Sequence, residues 1–525
     1  MSNWRAGPGH RVFLPNTNIA REVVDRHINA GGGDRPAIVW DGGQWTYAQL
    51  RSEALRFAAG LRALGVLRGA KIVIRSRNAP QACVAVLAAY YLGAVAVWAN
   101  SLLTEDELSY IVENSEARFA VTTSHLSETL LNLKRRGLLD EVIILDSGES
   151  EADRGFEFVK KLGQDSFEPV DTSAEDPAFM LYSSGTTGRP KGILHAHRWV
   201  VAVGDPVKIQ MEYQPDHVVF TPGEFSFMGT FGHAFMFPLY AGCTIALFGE
   251  RPVPEQVIAA IMKHRVSIFI SVPTFYRTLL ANPGLRDSFM AAKLHRVIST
   301  GEPLGAAVYE KWMAEYGTPL FDVYGVSEVE VLIGNGPANP VKPGSMGTKL
   351  VGMKITLLND RLEEVAVGEP GVLMIHRSDP GLFLGYYRQP EKWKNQHRGD
   401  WFYTGDVMYR DKDGYYWGSG REDDLFKSRG YFLSPQEIED AILKHPVVAE
   451  AAVVGLPDET LGNKVAAYVV LRANAKYENF EQELIEFLRP TLAAFKLPKS
   501  VTIMQALPKN PVGKILRRAL REPKL

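Results

Sequence analysis

The stretch Tyr182–Gly192, YSSGTTGRPKG, guides the interpretation of the rest of this 525-residue chain. Two serines, two threonines, three glycines and a lysine follow the apolar run Ala178–Leu181. Glycines let backbone N–H groups approach an anion closely, while the hydroxyls and Lys191 add hydrogen bonds and positive charge. No Gly-Lys-Ser/Thr closes the loop, so it is not a Walker A sequence. Its chemistry favours a phosphate-binding loop over a flexible surface loop.

Strand-like and helix-like segments alternate on both sides of this loop. Strands are predicted at Lys71–Arg75, Arg118–Thr122, Glu141–Leu145, Val266–Ile270 and Arg296–Ser299. The alternation predicts the α/β class, with stacked αβ layers and largely parallel sheets. The uncharged segment Ala82–Ala99 has nearly the length of a membrane span. Because Gly93 divides it, we expect a buried helix that leads into a buried strand.

The residue composition changes near residue 420, after a stretch rich in turn-forming residues. Ser434 and Glu437 have the spacing of a helix capping box, and strands are predicted at Val447–Val454 and Lys464–Leu471. A further amphipathic helix is expected from Phe480 until Pro490. The pattern predicts a large N-terminal domain followed by a small α+β domain of about a hundred residues.

Bulk composition excludes several classes of protein. A chain of 525 residues exceeds a single hydrophobic core, so two or more domains are expected. The net charge of -2 gives no reason to expect a nucleic-acid partner. Two cysteines, Cys83 and Cys243, make neither a disulfide framework nor a metal site. The N-terminus MSNWRAGPGH lacks the apolar core of a signal peptide, so we expect a cytoplasmic protein without a membrane span.

Four further motifs follow the loop in order: Tyr324–Glu328 (YGVSE), Tyr403–Asp406 (YTGD), Gly420–Asp424 (GREDD) and Asn510–Lys514 (NPVGK). With the loop, they resemble the motifs of the adenylate-forming superfamily. This superfamily contains acyl- and aryl-CoA ligases, firefly-type luciferases and the adenylation domains of peptide synthetases. Any one motif alone is weak, but the ordered set covers nearly the whole chain and makes the resemblance specific.

The resemblance implies an enzyme with a moving lid. The N-terminal domain, residues 1–422, is expected to include a small β-barrel-like subdomain. The C-terminal domain, residues 423–525, is expected to be small, mobile and hinged at Asp423. A carboxylate and ATP would form an acyl-adenylate and pyrophosphate, and coenzyme A would then give acyl-CoA and AMP. ATP, Mg²⁺ and coenzyme A are therefore the implied cofactors and co-substrates.

The family motifs also assign roles to single residues. Lys514 matches the catalytic lysine, and Val512 stands where many relatives have serine. Glu328, next to Ser327, matches the catalytic magnesium ligand, and a single carboxylate suits a cation that keeps waters and phosphates in its shell. Gly430 matches a glycine of the pantetheine channel. The implied nucleotide-binding residues are Ser183, Ser184, Gly185, Thr186, Thr187, Gly188, Lys191, Gly301, Glu302, Asp322, Tyr324, Gly325, Asp406 and Arg421.

Three stretches, Asn100–Leu108, Leu181–His197 and Gly249–Pro254, resemble the benzoate-type branch of CoA ligases. The acyl pocket implied by that branch is mainly apolar, as expected for a ring or a short chain. Gly229 stands where benzoate ligases carry tyrosine, and Val331 where they carry histidine, which predicts a larger pocket. Glu224 and Glu330 flank it, and we expect them at the surface; the alternative is that they face an amino or hydroxyl substituent of the acid. The pocket residues are Phe227, Met228, Gly229, His233, Thr300 and Val331.

Several functions remain open at this point. The acid is expected to be a benzoate-like aryl acid, either unsubstituted or substituted, with a medium-chain or alicyclic acid as the alternative. A free-standing adenylation enzyme that loads a carrier protein, a luciferase-like oxygenase and a silent nucleotide-binding protein share the motifs. Intact Lys514, Glu328 and Asp406 argue against the silent protein. As further partners we expect a second copy of the chain, and a lysine acetyltransferase and deacetylase that act on Lys514.

Overall fold

The computed structural model describes residues 14–163, 167–183, 190–249, 252–422, 424–428, 431–458, 462–472, 479–509 and 515–521. Nine of the residues singled out above lie outside this described part: Ser184, Gly185, Thr186, Thr187, Gly188, Asp423, Gly430, Val512 and Lys514.

Strands and helices alternate along the chain, as the sequence predicts. The strands are β1 Pro36–Trp40, β2 Gly43–Thr46, β3 Lys71–Arg75, β4 Val95–Trp98, β5 Phe119–Thr122, β6 Glu141–Ile144, β7 Pro177–Ser183, β8 Lys191–Ala196, β9 Val218–Phe220, β10 Thr244–Ala246, β11 Ile268–Ser271, β12 Arg296–Thr300, β13 Leu320–Tyr324, β14 Ile333–Gly334, β15 Gly347–Lys349, β16 Ile355–Leu358, β17 Pro370–His376, β18 Gly385–Tyr386, β19 His397–Arg398, β20 Trp401–Arg410, β21 Tyr415–Arg421, β22 Phe426–Ser428, β23 Tyr431–Leu433, β24 Val448–Asp458, β25 Gly462–Leu471 and β26 Ser500–Ile503. The helices are α1 Tyr47–Ala63, α2 Pro80–Tyr91, α3 Glu105–Ser115, α4 Ser127–Arg135, α5 Phe156–Leu162, α6 Trp199–Met211, α7 Met228–Phe231, α8 Phe237–Ala241, α9 Pro254–Lys263, α10 Pro273–Ala281, α11 Arg286–Ala291, α12 Ala306–Tyr316, α13 Pro390–Asn395, α14 Pro435–Ile442, α15 Phe480–Leu488 and α16 Arg517–Arg521.

The first sheet has seven strands in the order β18-β8-β7-β4-β3-β5-β6. Its central strands are parallel, whereas β7, β8 and β18 pair antiparallel at one side. The segment Ala82–Ala99 is confirmed as a buried helix and strand, α2 and β4, which turn at Gly93 with φ +65°. No helix within the described ranges is long and apolar enough to span a membrane.

The second sheet continues from a parallel half into an antiparallel arm. Strands β1, β10, β9, β11, β12 and β13 run parallel, and β14, β15, β21, β20, β17 and β16 follow antiparallel. The arm occupies the place of the expected barrel-like subdomain. Over the part of the chain that the structure describes, it stays open, because its terminal strand β16 pairs only with β17. The carboxyl ends of β12 and β13 therefore meet the start of the arm, where ligands bind in open α/β sheets.

The C-terminal residues form a small α+β unit, as expected. Helix α14 begins at Pro435, and the Ser434 hydroxyl accepts a hydrogen bond from the Glu437 N–H at 3.3 Å. Helix α15 ends at Leu488, just before Pro490, and buries Phe480, Leu484 and Leu488. These side chains share a hydrophobic cluster with the three-stranded sheet β24-β25-β26 and with α14. The unit thus has a core of its own, which is the physical requirement for a separate domain.

Candidate functional site

Near the C-terminal end of the predicted phosphate loop, Lys191 contacts Glu328 and Tyr386. Lys191 begins β8 directly opposite Ser183 at the end of β7. The Lys191 ammonium lies 3.1 Å from Glu328 Oε1 and 4.4 Å above the Tyr386 ring. The Tyr386 hydroxyl donates to the same Glu328 oxygen at 2.7 Å. The structure therefore brings together the loop lysine and the acid predicted to bind magnesium, 137 residues apart in sequence.

The side chain of His195 forms a hydrogen bond with the backbone carbonyl of Ser327. Burial lowers the pKa of His195 to about 3, so its imidazole is neutral. Its Nε2 lies 2.9 Å from the Ser327 carbonyl oxygen, and because a carbonyl only accepts, Nε2 carries the proton. The ring also stacks on Phe179, with centroids 4.7 Å apart. His195 thus fixes the backbone next to Glu328.

The donors around Glu328 fit a magnesium ion that is shared with a phosphate ligand. Oε1 accepts from Lys191 and Tyr386, while Oε2 has no hydrogen bond from any described residue. The described ranges contain no group of three or more His, Cys, Asp or Glu side chains that would cage a metal. Mg²⁺ uses one or two carboxylates and completes its shell with waters and phosphates. A single free carboxylate oxygen suits that ion.

A second cluster joins Tyr324, Asp406 and Arg421. The Tyr324 hydroxyl donates to Asp406 Oδ2 at 2.6 Å, and Arg421 Nη1 lies 3.3 Å from Asp406 Oδ1. Arg421 also donates to the Thr404 carbonyl at 2.9 Å. Burial, and then the Asp406 charge, raise the pKa of Tyr324 well above its usual range, so the phenol stays a donor. Asp406 keeps further lone pairs on both oxygens with which to accept hydroxyls of a ligand.

The remaining predicted nucleotide residues lie at the carboxyl ends of β12 and β13. Gly301 has φ +89°, and Glu302 accepts hydrogen bonds from Thr274 at 3.0 Å and from Arg277 at 3.1 Å. Asp322 is buried within β13, and burial raises its pKa to about 8. A Cβ added to Gly325 would stand 1.3 Å from the Glu330 carbonyl oxygen, so only glycine fits there.

The predicted acyl-pocket residues lie around α7 and the π-helical turn Gly232–Met236 that follows it. A Cβ at Gly229 would be 3.5 Å from Thr300 Oγ1, which is ordinary contact distance. Phe227 caps α7, Met228 is 7% exposed, and Val331 is 2% exposed. His233 is completely buried, and burial lowers its pKa to about 4.

The expectation that Glu224 and Glu330 lie at the surface is wrong. Glu224 is half-buried and accepts hydrogen bonds from Asn100 at 3.1 Å and from Ser226 at 3.2 Å. Glu330 is 5% exposed, because its N–H bonds to the Val326 carbonyl in a tight turn that points the side chain inward. Burial raises the pKa of Glu330 well above its usual range, and the backbone N–H groups of His233 and Gly232 offset part of this effect.

The sequence patterns did not indicate that Tyr386 and His195 belong to the site. Tyr386 lies 195 residues from Lys191 and reaches it only because β18 pairs with β8. His195 lies inside the stretch that resembles benzoate-type ligases, but its spacing along β8 gave no signal of contact with Ser327.

Comparison with known proteins accounts for this arrangement. The sequence profile described as AMP-binding enzyme matches residues 24–387, and the profile of the AMP-binding enzyme C-terminal domain matches residues 437–514. The chain belongs to the AMP-binding enzyme family. This confirms the resemblance drawn from the five motifs, and with it the ligase class of the enzyme.

Three similar proteins show which kinds of CoA ligase this chain resembles. An uncharacterized acyl–CoA ligase of Bacillus subtilis is 32% identical over 94% of both chains. The 4-hydroxybenzoate–CoA/benzoate–CoA ligase of Rhodopseudomonas palustris is 31% identical and covers 97% of this chain and 94% of its own. The crystal structure of an anthranilate CoA ligase in complex with anthranoyl-AMP is 28% identical, covers 97% of both chains and superposes with a TM-score of 0.88.

Proposed function

We propose that this AMP-binding enzyme is an ATP-dependent carboxylate–CoA ligase that acts on a substituted aryl acid. In the first step, a carboxylate oxygen attacks the α-phosphorus of ATP, and pyrophosphate leaves. In the second step, the thiol of coenzyme A attacks the acyl carbonyl, and AMP leaves. The observation that carries the proposal is the meeting of Lys191, Glu328 and Tyr386 next to Tyr324, Asp406 and Arg421.

The first cluster suits the polyphosphate of ATP. Two anions must approach each other during adenylation, and positive charge beside them lowers the repulsion. Lys191 supplies that charge at the end of the loop, and Glu328 Oε2 would hold Mg²⁺ together with the phosphates. When Lys191 moves to a phosphate, Tyr386 still donates to Glu328 at 2.7 Å and keeps the carboxylate in place.

The second cluster suits the ribose. Asp406 accepts from Tyr324 and Arg421 and retains lone pairs for the two ribose hydroxyls. Both partners fix the carboxylate before ATP arrives, so less ordering is needed on binding. A carboxylate that is positioned in this way favours a diol over a single hydroxyl.

The contacts on either side of Asp423 support a hinge at that residue. Before it, Arg421 bonds to Asp406 and Thr404 of the antiparallel arm. After it, Asp424 forms ion pairs with Arg517 at 3.5 Å and Arg521 at 2.9 Å in the C-terminal helix α16. The chain changes partners within three residues, as expected where one domain ends and a moving domain begins. We therefore divide the chain into residues 1–422 and 423–525, and assign adenylation to Lys514 and the pantetheine channel to Gly430.

The apolar side chains around Gly229 and the two aryl-acid relatives support an aromatic substrate. Two of the relatives named above are ligases of 4-hydroxybenzoate and benzoate, and of anthranilate. Gly229 lacks the side chain that benzoate ligases place at this position, and a Cβ there would meet Thr300 only at ordinary contact distance, which supports an acid larger than benzoate. The alternative is a medium-chain or alicyclic acid, which the same apolar slot would accept.

Two linked assays test the proposal. ATP–pyrophosphate exchange is measured with a panel of aryl, alicyclic and alkyl acids, and thioester formation is measured with coenzyme A. We expect exchange and thioester formation with substituted benzoates, and loss of both in Glu328→Gln but not in the surface control Glu364→Gln. Exchange without thioester would indicate a carrier protein as the acceptor instead of coenzyme A. Absence of exchange with every acid would refute a ligase function.

A further inference from the structure

Glu330 is buried with no side-chain partner, and only the backbone N–H groups of Gly232 and His233 approach its carboxyl group among the described residues. It is 5% exposed, and neither carboxyl oxygen completes a hydrogen bond with any residue of the described ranges. Its φ of +107° is also unusual for a residue with a side chain. Both features cost folding free energy, and buried polar groups in native proteins nearly always have partners. A residue of this kind is retained when another molecule supplies the missing hydrogen bond.

The carboxyl group of Glu330 lies against the helical segment that carries several predicted acyl-pocket residues. A Cβ added to Gly232 would stand 1.9 Å from both carboxyl oxygens, so these oxygens rest on the Gly232 backbone. Gly229 is three residues earlier and shares this helical face, and a Cβ there would be at ordinary contact distance from Thr300 Oγ1. The Glu330 carboxyl is thus one helical turn beyond Gly229. The neighbouring His233 ring likewise lacks a partner for either nitrogen among the described residues.

Glu224 shows what a structural acid looks like in the same region. It accepts hydrogen bonds from the side chains of Asn100, Ser101 and Ser226 and from the Ser101 N–H. The fold therefore supplies hydrogen-bond donors to one carboxylate in this region, that of Glu224. Among the described residues it gives Glu330 no side-chain donor, only the nearby N–H groups of Gly232 and His233, although Glu330 is the more deeply buried of the two.

We propose that Glu330 is a specificity-determining residue that accepts a hydrogen bond from a hydroxyl or amino substituent at the far end of the acid substrate. The inference rests on the proposed ligase function and narrows its substrate class. A substrate whose far end lies beside Gly229 and carries such a donor would be one helical turn from the Glu330 carboxyl oxygens. An acid without the donor would leave them unpaired, and such a mismatch is discriminated strongly in a buried site.

The test compares pairs of acids that differ only in one hydroxyl or amino group. In the wild type, we expect kcat/KM to be about 10- to 100-fold higher for the substituted member of the best pair. Glu330→Met keeps the length of the side chain but removes its oxygens, so the ratio should fall to about one. Its Tm should stay the same or rise, because a polar group without a partner has been removed. Glu330→Gln keeps one acceptor and should give an intermediate ratio, and Glu224→Gln should keep the wild-type ratio.

Three results would overturn the inference while the ligase function stands. These are a wild-type ratio near one for every pair, an unchanged ratio in Glu330→Met, and a marked loss of Tm in both Glu330 variants. The last result would show that the carboxyl is satisfied in the folded protein and serves its stability. A wild type that makes no adenylate with any acid refutes the ligase proposal itself, and Tm then still reports on Glu330. In that case a higher Tm in Glu330→Met supports the unpartnered carboxyl, and a lower one overturns it.

Discussion

Arg517 ties the segment that carries Lys514 to the C-terminal unit, and removing it should loosen that unit measurably. Its guanidinium donates to both oxygens of Glu439, at 3.0 and 2.8 Å from Nη2, and also pairs with Asp424. Glu439 is buried and keeps one other donor among the residues that the structure describes, the Val453 N–H at 2.8 Å. In Arg517→Met, the Glu439 carboxylate would stay buried with that single hydrogen bond.

The size of the effect follows from burial. Losing one partner of a fully buried ion pair costs ~3–5 kcal/mol, and the partial exposure of Arg517 and the remaining Val453 donor reduce this to ~2–3 kcal/mol. Local opening of α14 and β24 should then increase roughly 30- to 150-fold, as measured by hydrogen exchange of peptides that cover them. The control is Arg489→Met, which breaks an exposed pair with Glu486 and should change little.

A second substitution, at Glu439, separates the loss of the ion pair from other effects of removing Arg517. Glu439→Gln removes the charge that Arg517 neutralises, so the double variant Glu439→Gln/Arg517→Met should lose less than the sum of the single losses. Strictly additive losses, or exchange in Arg517→Met that equals the Arg489→Met control, would show that the ion pair does not hold the unit together. Because Lys514 lies three residues before Arg517, we also expect slower ATP–pyrophosphate exchange in Arg517→Met.

Four further predictions concern the site and the lid. Lys514→Ala should abolish adenylate formation but spare thioester formation from presynthesised acyl-AMP, and equal losses in both half-reactions would contradict its role. Asp423→Pro should preserve adenylation and reduce transfer to coenzyme A, since proline fixes φ at the pivot; equal retention of both rates would place the hinge elsewhere. Gly229→Tyr should place a bulky side chain beside Thr300 and lower kcat/KM roughly tenfold for acids larger than benzoate, whereas an unchanged profile would refute the pocket assignment. Burial and the Glu439 charge raise the pKa of Asp440 to about 7, so the contribution of Asp440 to stability should fall as pH rises from about 4 to 7; the Tm gain of Asp440→Asn, measured at pH 5 and pH 8, should be larger at pH 8, and an equal gain at both would contradict this.

Much of the fold follows from local sequence signals. Strand β3 coincides with the predicted range, and Gly93 separates α2 from β4 as expected. Ser434 caps α14, and α15 ends before Pro490, because capping and proline geometry act over only a few residues. The five motifs identified the family for a similar reason, since each is a short stretch whose residue types the chemistry requires.

The contacts within the site depend on distances that sequence patterns do not encode. Tyr386 reaches Glu328 only through the pairing of β18 with β8, and Tyr324 reaches Asp406 across 82 residues. Glu330 was misplaced at the surface because a charged residue between two valines resembles an exposed position on a strand. Its positive φ and its packing on Gly232 are set by the turn after Glu328 and by α7, neither of which is visible in the local pattern.

The pairing of Lys191 with Glu328 explains how this site stays stable before ATP binds. A buried carboxylate and a nearby ammonium each lose solvation, and together they avoid an unpaired charge. A second cation, Lys392, lies 5.7 Å from the Tyr386 ring centroid, and burial and then the Lys191 charge lower its pKa. Two lysines beside one carboxylate leave local positive charge, which attracts an anion. In the proposed function, ATP with magnesium would offer each side of the pair a new partner of the right sign, so the ion pair could separate without leaving either charge alone. Tyr386 contacts both members and holds Glu328 through this exchange, which is why we regard it as part of the site although no motif marks it.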